Sequence, residues 1–329
     1  MPAALRAYAK INIGLEIGAM RPDGYHALRT IYQTVDWFDV VRVEVGSGTG
    51  IEIKSKDARV PLGESNTCHR VAERVMKALG ARGKVSVVIE KNLPVQGGLG
   101  AGSSNGVATM LALERELKAQ LEPEERLRIA SEVGSDLPLF LVGGLVLGMG
   151  RGEEVYPLPD LPGLPLVIAT PPVAVSTPDA FDHWDDEFGG GKLTNAAASS
   201  KINVFSRSAF YWLSGSWPRS LGAPATGVPT AGGDRAEALL LDLVRAGIEN
   251  DFERVVFPRY PELRDVKRVL EHEGARFASM SGSGSSLFGI FESGEAAEGA
   301  CRKLRENGVN ARATSTLPRP DYWAQMFRK

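Results

Sequence analysis

Residues 93–105, Leu-Pro-Val-Gln-Gly-Gly-Leu-Gly-Ala-Gly-Ser-Ser-Asn, decide the fold of this chain. Four glycines fall within six residues, between a predicted strand over 85–90 and a predicted helix over 105–117. The first N–H groups of a helix have no partner inside it, and the helix dipole adds positive potential there. Because glycine lets the backbone approach an anion closely, the order strand, glycine loop, helix predicts a phosphate-binding site.

The glycine loop fits neither of two familiar phosphate-binding motifs. A Walker loop requires a lysine after its last glycine, and Ser103 stands there instead. The spacing of Gly98, Gly100 and Gly102 differs from the dinucleotide-binding motif, and the acidic residue expected after it is missing. On glycine content alone a flexible linker is equally compatible. The two serines and the preceding strand favour phosphate binding.

Length and composition set wider bounds. A chain of 329 residues with 43% apolar content predicts two domains, which we divide at the Pro-Gly junction into 1–162 and 163–329. A net charge of -2 disfavours nucleic acid, and the N-terminus lacks a signal pattern. The apolar stretch 137–149 is too short to span a membrane and is predicted to be buried strand. Cys68 and Cys301 form no disulfide framework and suggest a reducing cytoplasm.

The N-terminal strand carries two polar residues on one face. Residues 8–17 alternate in a pattern that predicts a strand with one buried face, and Lys10 and Asn12 lie on the same side of it, roughly 6–7 Å apart. Either both side chains are solvated at a sheet edge, or a lysine and an amide point into a cleft. A Pro-Asp-Gly turn then presents Tyr25 and His26 on a loop.

Further along, the pattern predicts a hairpin of 41–45 with 51–53 and a helix over 66–79. Asp136 follows a helix predicted over 124–133, where it is either a simple cap or a functional carboxylate. From residue 165 the elements resemble a split βαβ arrangement and include a second Gly/Ser loop before the strand 287–291. The predicted elements there are a strand over 165–169, a short helix after 176, helices over 262–273 and 296–306, and a last strand near 311–316.

Residues 185–235 differ in composition from their surroundings and are predicted to be an insertion. An aromatic-rich segment lies inside it at 204–213. We expect this segment to pack on the C-terminal domain, because an exposed aromatic cluster is an aggregation hazard.

Three segments together carry a resemblance. Residues 9–12, 97–105 and 281–284 resemble the three motifs of the GHMP small-molecule kinase superfamily. Finer features at 21–26, 134–138 and 150–153 resemble the 4-diphosphocytidyl-2-C-methyl-D-erythritol kinase family of the non-mevalonate isoprenoid pathway. The resemblance implies an α+β fold of two domains, the first like ribosomal protein S5 domain 2 and the second ferredoxin-like. It also implies ATP as phosphoryl donor, Mg²⁺ bridging the phosphates, and the 2-hydroxyl of a small-molecule cytidine diphosphate substrate as acceptor, in a cytoplasmic monomer or homodimer.

The resemblance further implies roles for individual residues. Asp136 would take the proton of the substrate hydroxyl, and Lys10 would hold Asp136 ionised and stabilise developing charge. The implied ATP-binding residues are Asn66, on the adenine side, and Pro94, Gly97, Gly98, Leu99, Gly100, Gly102, Ser103 and Ser104. The implied substrate-binding residues are Asn12, Tyr25, His26, Thr177, Phe181, Gly282 and Ser283, with Tyr25, His26 and Phe181 around the cytosine. No protein metal ligand is predicted, which is usual for a magnesium ion held mainly by phosphates.

Two other functions stay open on the sequence. One is another GHMP kinase, acting on homoserine, mevalonate or a sugar; the aromatic group of Tyr25, His26 and Phe181 favours a nucleobase instead. The other is a catalytically silent nucleotide-binding protein, which the presence of both Lys10 and Asp136 disfavours.

The chain departs from the family pattern at three positions. Gln96 and Ala101 stand where the family has glycine, and Ser285 replaces a common proline. Ala101 would be tolerated if its φ is negative. Gln96 has no assigned role.

Overall fold

A computed structural model describes residues 2–95, 97–189 and 249–327. Gln96 and most of the predicted insertion, including the aromatic segment 204–213, lie outside the described residues. The strands are β1 Ala3–Met20, β2 His26–Gly46, β3 Ile51–Ser55, β4 Lys84–Glu90, β5 Leu145–Met149, β6 Glu154–Pro157, β7 Pro165–Thr170, β8 Phe277–Met280, β9 Leu287–Ile290 and β10 Asn310–Ser315. The helices are α1 Thr67–Ala78, α2 Ala101–Leu117, α3 Pro123–Val133, α4 Leu137–Phe140, α5 Thr177–Phe188, α6 Glu253–Val256, α7 Pro261–His272, α8 Gly294–Glu306 and α9 Arg319–Met326.

The first sheet contains β1 to β6 in the order β3-β4-β2-β5-β6, with β1 paired to β2. Strand β2 is long enough to take different partners along its length: β1 along most of it, β5 over 30–33 and β4 over 40–46. Helix α2 packs on β1 and β2 and contributes the centre of a core that includes Val107, Met110 and Leu111.

Strand β1 is buried on both faces, so the prediction of one buried face is wrong. Lys10 and Asn12 are only 3% and 2% exposed. On the opposite face, Ile11 and Ile13 belong to a second core that they share with Ile168 and other residues of the second sheet. The second sheet covers the face of Ile11 and Ile13, whereas α2 and the glycine loop cover the face of Tyr8 and Lys10, so both sides of β1 are buried.

The predicted hairpin of 41–45 with 51–53 is also wrong. Strand β4 lies between β2 and β3, and it pairs with β3 in parallel. Parallel neighbours need a long crossover connection, and the segment containing α1 supplies it. Val85, Val87 and Ile89 of β4 are buried, which suits an interior strand. Helix α1 itself confirms the prediction over 66–79.

The apolar stretch 137–149 is only partly strand. It begins with helix α4, because Pro138 suits the first turn of a helix. Gly143 and Gly144, both with φ of +70°, then turn the chain into β5. The sequence patterns also missed β6, β8 and α9, and helix α2 begins four residues earlier than predicted, at Ala101.

The second sheet has the order β10-β7-β9-β8, with every neighbouring pair antiparallel. Numbered within this domain, the strands run 4-1-3-2, and α7 and α8 pack on the sheet. This confirms the predicted ferredoxin-like split βαβ arrangement. Helix α5 runs to Phe188, into the first residues of the predicted insertion. The predicted boundary at residue 162 falls in the connection between β6 and β7 and stays a prediction.

Beyond β10 the chain returns to the first sheet. Leu317 N–H donates to the Thr34 carbonyl of β2, and the Thr34 hydroxyl donates back to the Leu317 carbonyl. Helix α9 therefore packs on the N-terminal domain. Among the described residues, no helix combines the length and apolar character needed to cross a membrane.

Candidate active site

The glycine loop adopts backbone angles that glycine favours. Gly97, Gly98 and Gly100 have φ values of +116°, +79° and +69°, and helix α2 follows directly without a side-chain cap at its start. Ala101 is the first helical residue, and within the described ranges Lys118 alone combines a side chain with positive φ. The methyl group of Ala101 is thus tolerated, as expected. The loop presents the start of a 17-residue helix as a possible anion site.

The glycine loop contacts the Gly/Ser loop of the other domain. The Ser281 hydroxyl donates to the Gly98 carbonyl at 2.9 Å, and Ser286 N–H donates to the Gly97 carbonyl at 3.2 Å. A Cβ atom at Gly98 would overlap the Ser281 carbonyl oxygen, so glycine is required there for close approach as well as for φ. Two segments more than 180 residues apart in sequence therefore form one cleft wall.

Lys10 and Asp136 meet in this cleft. Lys10 Nζ lies 3.3 Å from Asp136 Oδ2, and it donates to Asn12 Oδ1 at 2.6 Å. The Lys10 side chain is 4% exposed, whereas that of Asp136 is 33% exposed and accessible to a ligand. Asp136 precedes α4 but makes no side-chain capping bond, which disfavours the simple cap interpretation.

Tyr32 is a site residue that the sequence patterns did not reveal. Its hydroxyl donates to Asp136 Oδ1 at 3.0 Å, and Lys10 Nζ lies 5.4 Å from the centre of its ring. Burial raises the pKa of Tyr32 well above its ordinary value of 10.0, and the Asp136 charge and hydrogen bond raise this pKa further. The hydroxyl thus stays protonated and keeps one carboxylate oxygen of Asp136 oriented. One tyrosine in a strand carries no sequence signal for such a role.

Asn12 is held by hydrogen bonds from both its side chain and its backbone. Asn12 Nδ2 donates to the Thr30 hydroxyl, which donates to the Gly14 carbonyl, and Asn12 N–H donates to the Ser281 hydroxyl. A Cβ atom at Gly282 would lie 3.6 Å from Lys10 Nζ. The predicted residues Lys10, Asn12, Asp136 and Gly282 are therefore gathered at one point.

The other predicted substrate residues form two further groups. His26 and Phe181 stack in parallel with ring centres 5.4 Å apart, and Ser283 shares a 2.6 Å hydrogen bond with Thr177. His26 Nε2 also lies 3.0 Å from an Asp185 oxygen. Tyr25 does not join the stack: it is 55% exposed and lies beside the Arg151 guanidinium, 5.0 Å from its ring centre.

The predicted ATP-binding residues differ in their burial and in whether their polar atoms already have hydrogen-bond partners. Asn66 uses its side chain as the cap of α1, accepting from Cys68 N–H and donating to the Pro61 carbonyl. Leu99 is buried, and its carbonyl accepts from Lys10 N–H at 3.0 Å. The Ser104 hydroxyl is buried without a hydrogen-bond partner among the described residues. Pro94, Gly102 and Ser103 flank the loop and the first turn of α2 and are at least partly exposed.

Comparisons with known proteins show the family of this chain. The family profile "GHMP kinases N terminal domain" matches residues 66–144, and "GHMP kinases C terminal" matches residues 236–310. The fold is that of a GHMP kinase, an ATP-dependent small-molecule kinase. A homoserine kinase from Cytophaga hutchinsonii shares the fold, with a TM-score of 0.64 and 21% identity over 96% of this chain and 95% of that one.

Other relatives have the name of one particular kinase of this superfamily. A 4-diphosphocytidyl-2-C-methyl-D-erythritol kinase from Solibacter usitatus is 36% identical over 93% of this chain and 86% of its own length. The kinase of that name from Synechococcus elongatus is 33% identical over 92% and 90%. The crystal structure of a 4-(cytidine 5'-diphospho)-2C-methyl-D-erythritol kinase covers 95% of this chain and 98% of its own, with a TM-score of 0.69 and 28% identity. The chain belongs to the 4-diphosphocytidyl-2-C-methyl-D-erythritol kinase family.

Proposed function

We propose that this kinase transfers the γ-phosphoryl group of ATP to the 2-hydroxyl of 4-diphosphocytidyl-2-C-methyl-D-erythritol, a step toward isoprenoid precursors. The observation that carries the proposal is the ion pair of Lys10 with Asp136, 3.3 Å apart, beside the wall that the glycine loop and the Gly/Ser loop form together. The names of the relatives in both comparisons support this acceptor.

In the proposed reaction, Asp136 accepts the proton of the substrate hydroxyl. The hydroxyl oxygen forms a bond to the γ-phosphorus of ATP, the bond from that phosphorus to ADP breaks, and ADP leaves. Phosphoryl transfer requires positioning and charge neutralisation more than covalent participation. Lys10 is suited to both tasks, because it is buried and is held between the Asp136 carboxylate and Asn12 Oδ1. Tyr32 holds the other carboxylate oxygen, so Asp136 presents a fixed face to the hydroxyl.

The glycine loop and the start of α2 would bind the ATP phosphates. Backbone N–H groups at an uncapped helix start point toward such a ligand, and the positive φ values bring the backbone close to it. Asn66 would act on the adenine side by holding the chain before α1, since its side-chain amide is already used for capping.

Mg²⁺ is proposed as the accompanying ion. Within the described ranges, no group of three His, Cys, Asp or Glu side chains could hold a metal, so phosphates would supply most of its ligands. The Ser104 hydroxyl fits such an ion, because it is a buried oxygen on the first turn of α2 without a protein partner in the described residues. When bound, the ion would neutralise charge on the phosphates.

The stack of His26 on Phe181 supports a nucleobase as the distal part of the substrate. Phe181 is held edge-on by Phe252, with ring centres 4.9 Å apart, and His26 Nδ1 lies 2.9 Å from the Gly18 carbonyl. The two rings are therefore fixed in place. The exposed ring of Tyr25, the residue before His26, would close over a cytosine. Homoserine and mevalonate contain no aromatic ring for such a surface.

The setting of the reaction is also part of the proposal. We infer a cytoplasmic monomer or homodimer that acts on a small molecule and not on nucleic acid. Cys68 and Cys301 are both free and buried, which suits a reducing compartment. The net charge of -2 provides no general attraction for nucleic acid.

A release assay for ADP over a small panel of alcohols tests the acceptor. We expect turnover with the cytidyl substrate and none with homoserine, mevalonate or a sugar. Turnover with homoserine or mevalonate alone would refute the proposed substrate, and ATP binding without any turnover would favour a silent nucleotide-binding protein.

The role of Asp136 is tested by Asp136→Asn. Turnover should fall at least ~10²-fold while the affinity for ATP stays nearly unchanged, because the amide cannot accept the proton. Asp265→Asn is a matched control, since the Asp265 side chain is 68% exposed on α7. Near-normal turnover of Asp136→Asn would exclude Asp136 as the base.

A further inference from the structure

The C-terminal helix α9 contacts the chain segment that follows Asp136. This segment consists of α4, the turn at 141–144 and the start of β5. A four-residue helix leaves its last carbonyls without partners inside it. Side chains of α9 supply donors to four carbonyls of the segment: Tyr322 Oη to Phe140 at 2.7 Å, Trp323 Nε1 to Val142 at 3.0 Å, Arg319 Nε to Gly143 at 3.0 Å and Arg319 Nη2 to Leu145 at 2.8 Å.

Helix α9 is also tied to the strands that carry Lys10 and Tyr32. The Tyr322 ring packs on Tyr8 of β1, with ring centres 5.6 Å apart. The Thr34 hydroxyl of β2 accepts from Gly144 N–H at 2.9 Å and donates to the Leu317 carbonyl at 2.7 Å. Helix α9, with Leu317 just before it, therefore joins β1 and β2 to the segment after Asp136, and Thr34 also contacts that segment directly.

The contact reaches the glycine loop as well. A Cβ atom at Gly100 would lie 2.9 Å from Phe140 Cζ, so the ring of Phe140 lies directly against this loop. Tyr322 holds the carbonyl of Phe140, and the side chain of Phe140 supports Gly100.

We propose that Tyr322 and Trp323 are positioning residues for phosphoryl transfer: they hold α4 so that Asp136 lies within reach of Lys10 and of the acceptor hydroxyl. The proposal rests on the role of Asp136 given above. Misplacement of a catalytic group by about 1 Å can cost ~10²-fold in rate. The hydrogen bonds of Tyr322 and Trp323, which fix α4 and the turn after it, should therefore affect turnover as well as stability.

The test is Tyr322→Phe, which removes one buried hydroxyl and keeps the ring. We expect kcat to fall ~10-fold, with little change in the KM for either substrate. Thr314→Val is the matched control: it removes a hydroxyl that donates at 2.7 Å to the Asp36 carbonyl, away from α4. Its kcat should stay within ~2-fold of the wild type. Trp323→Phe is the second variant, should Tyr322→Phe fail to fold by circular dichroism.

A double-mutant cycle separates positioning from general destabilisation. If Tyr322 acts through Asp136, adding Tyr322→Phe to Asp136→Asn should lower the residual rate less than ~2-fold. The same ~10-fold loss in both backgrounds would overturn the proposal, as would an unchanged kcat in folded Tyr322→Phe and Trp323→Phe. Near-normal turnover of Asp136→Asn would instead refute the proposed base, and the positioning role with it.

Discussion

Removal of the Tyr32 hydroxyl is the sharpest perturbation of the cleft. Tyr32→Phe deletes the donor at 3.0 Å from Asp136 Oδ1, while the contact of Lys10 Nζ with Asp136 Oδ2 at 3.3 Å is retained. The phenyl ring keeps its packing, because Tyr32 is only 2% exposed. The variant thus changes how the carboxylate is held and leaves its charge partner in place.

The expected loss of kcat in Tyr32→Phe follows from this geometry. A hydrogen bond to a charged group is worth about 1.5–3 kcal/mol. The Asp136 side chain is 33% exposed, so water can replace part of the lost bond, and we take the lower value. About 1.4 kcal/mol corresponds to a factor of ten in rate, so kcat should fall ~10-fold if Asp136 must be oriented in the transition state.

The assay is steady-state release of ADP, with Tyr156→Phe as control because Tyr156 is 51% exposed on β6. An ionised Tyr32 could no longer donate to Asp136. Its pKa is raised above 10.0, so its proton is retained at any pH below that value. The ratio of wild-type to Tyr32→Phe kcat should therefore be constant from about pH 7 to about pH 9. A kcat equal to wild type would refute the orienting role, and a ratio that falls with rising pH would refute the raised pKa.

Three further outcomes are expected. Gly98→Ala should raise the KM for ATP at least ~10-fold, because its Cβ atom would overlap the Ser281 carbonyl and its φ is +79°. Gly294→Ala should leave this KM unchanged, because that glycine has open space around it and an ordinary φ. Equal KM values in the two variants would contradict the close approach of the two loops. Ser281→Ala should lower the free energy of unfolding in urea by about 1–3 kcal/mol, because it removes the hydrogen-bond partner of the buried Asn12 N–H and of the half-buried Gly98 carbonyl. Ser131→Ala, which removes a solvent-exposed bond to the Leu127 carbonyl, should change it by less than ~0.5 kcal/mol, and equal losses in the two variants would contradict this explanation. Burial raises the pKa of Cys68 to about 12, so a thiol reagent at about pH 8 should label it only after unfolding; rapid labelling of the native protein would show that the thiol is exposed.

The sequence alone determined the parts of the molecule that depend on local rules. The glycine loop was recognisable because the positions that need positive φ, Gly97, Gly98 and Gly100, lie directly before a helix. Lys10 and Asn12 were expected on one face because side chains alternate along a strand, and the 2.6 Å hydrogen bond between them agrees. The order of elements after residue 165 sufficed for the ferredoxin-like sheet.

Only the tertiary structure decided which segments meet. Periodicity indicates that one face of a strand is apolar, but it does not name the partner, so β4 between β2 and β3 could not be foreseen. Tyr32 reaches Asp136 across 104 residues and Tyr322 reaches Phe140 across 182, and no short-range pattern records either contact. The glycine loop could be read from sequence because its conformation is a property of its own residues. The orientation of Asp136 is set by packing between distant elements, and it exists only once the chain has folded.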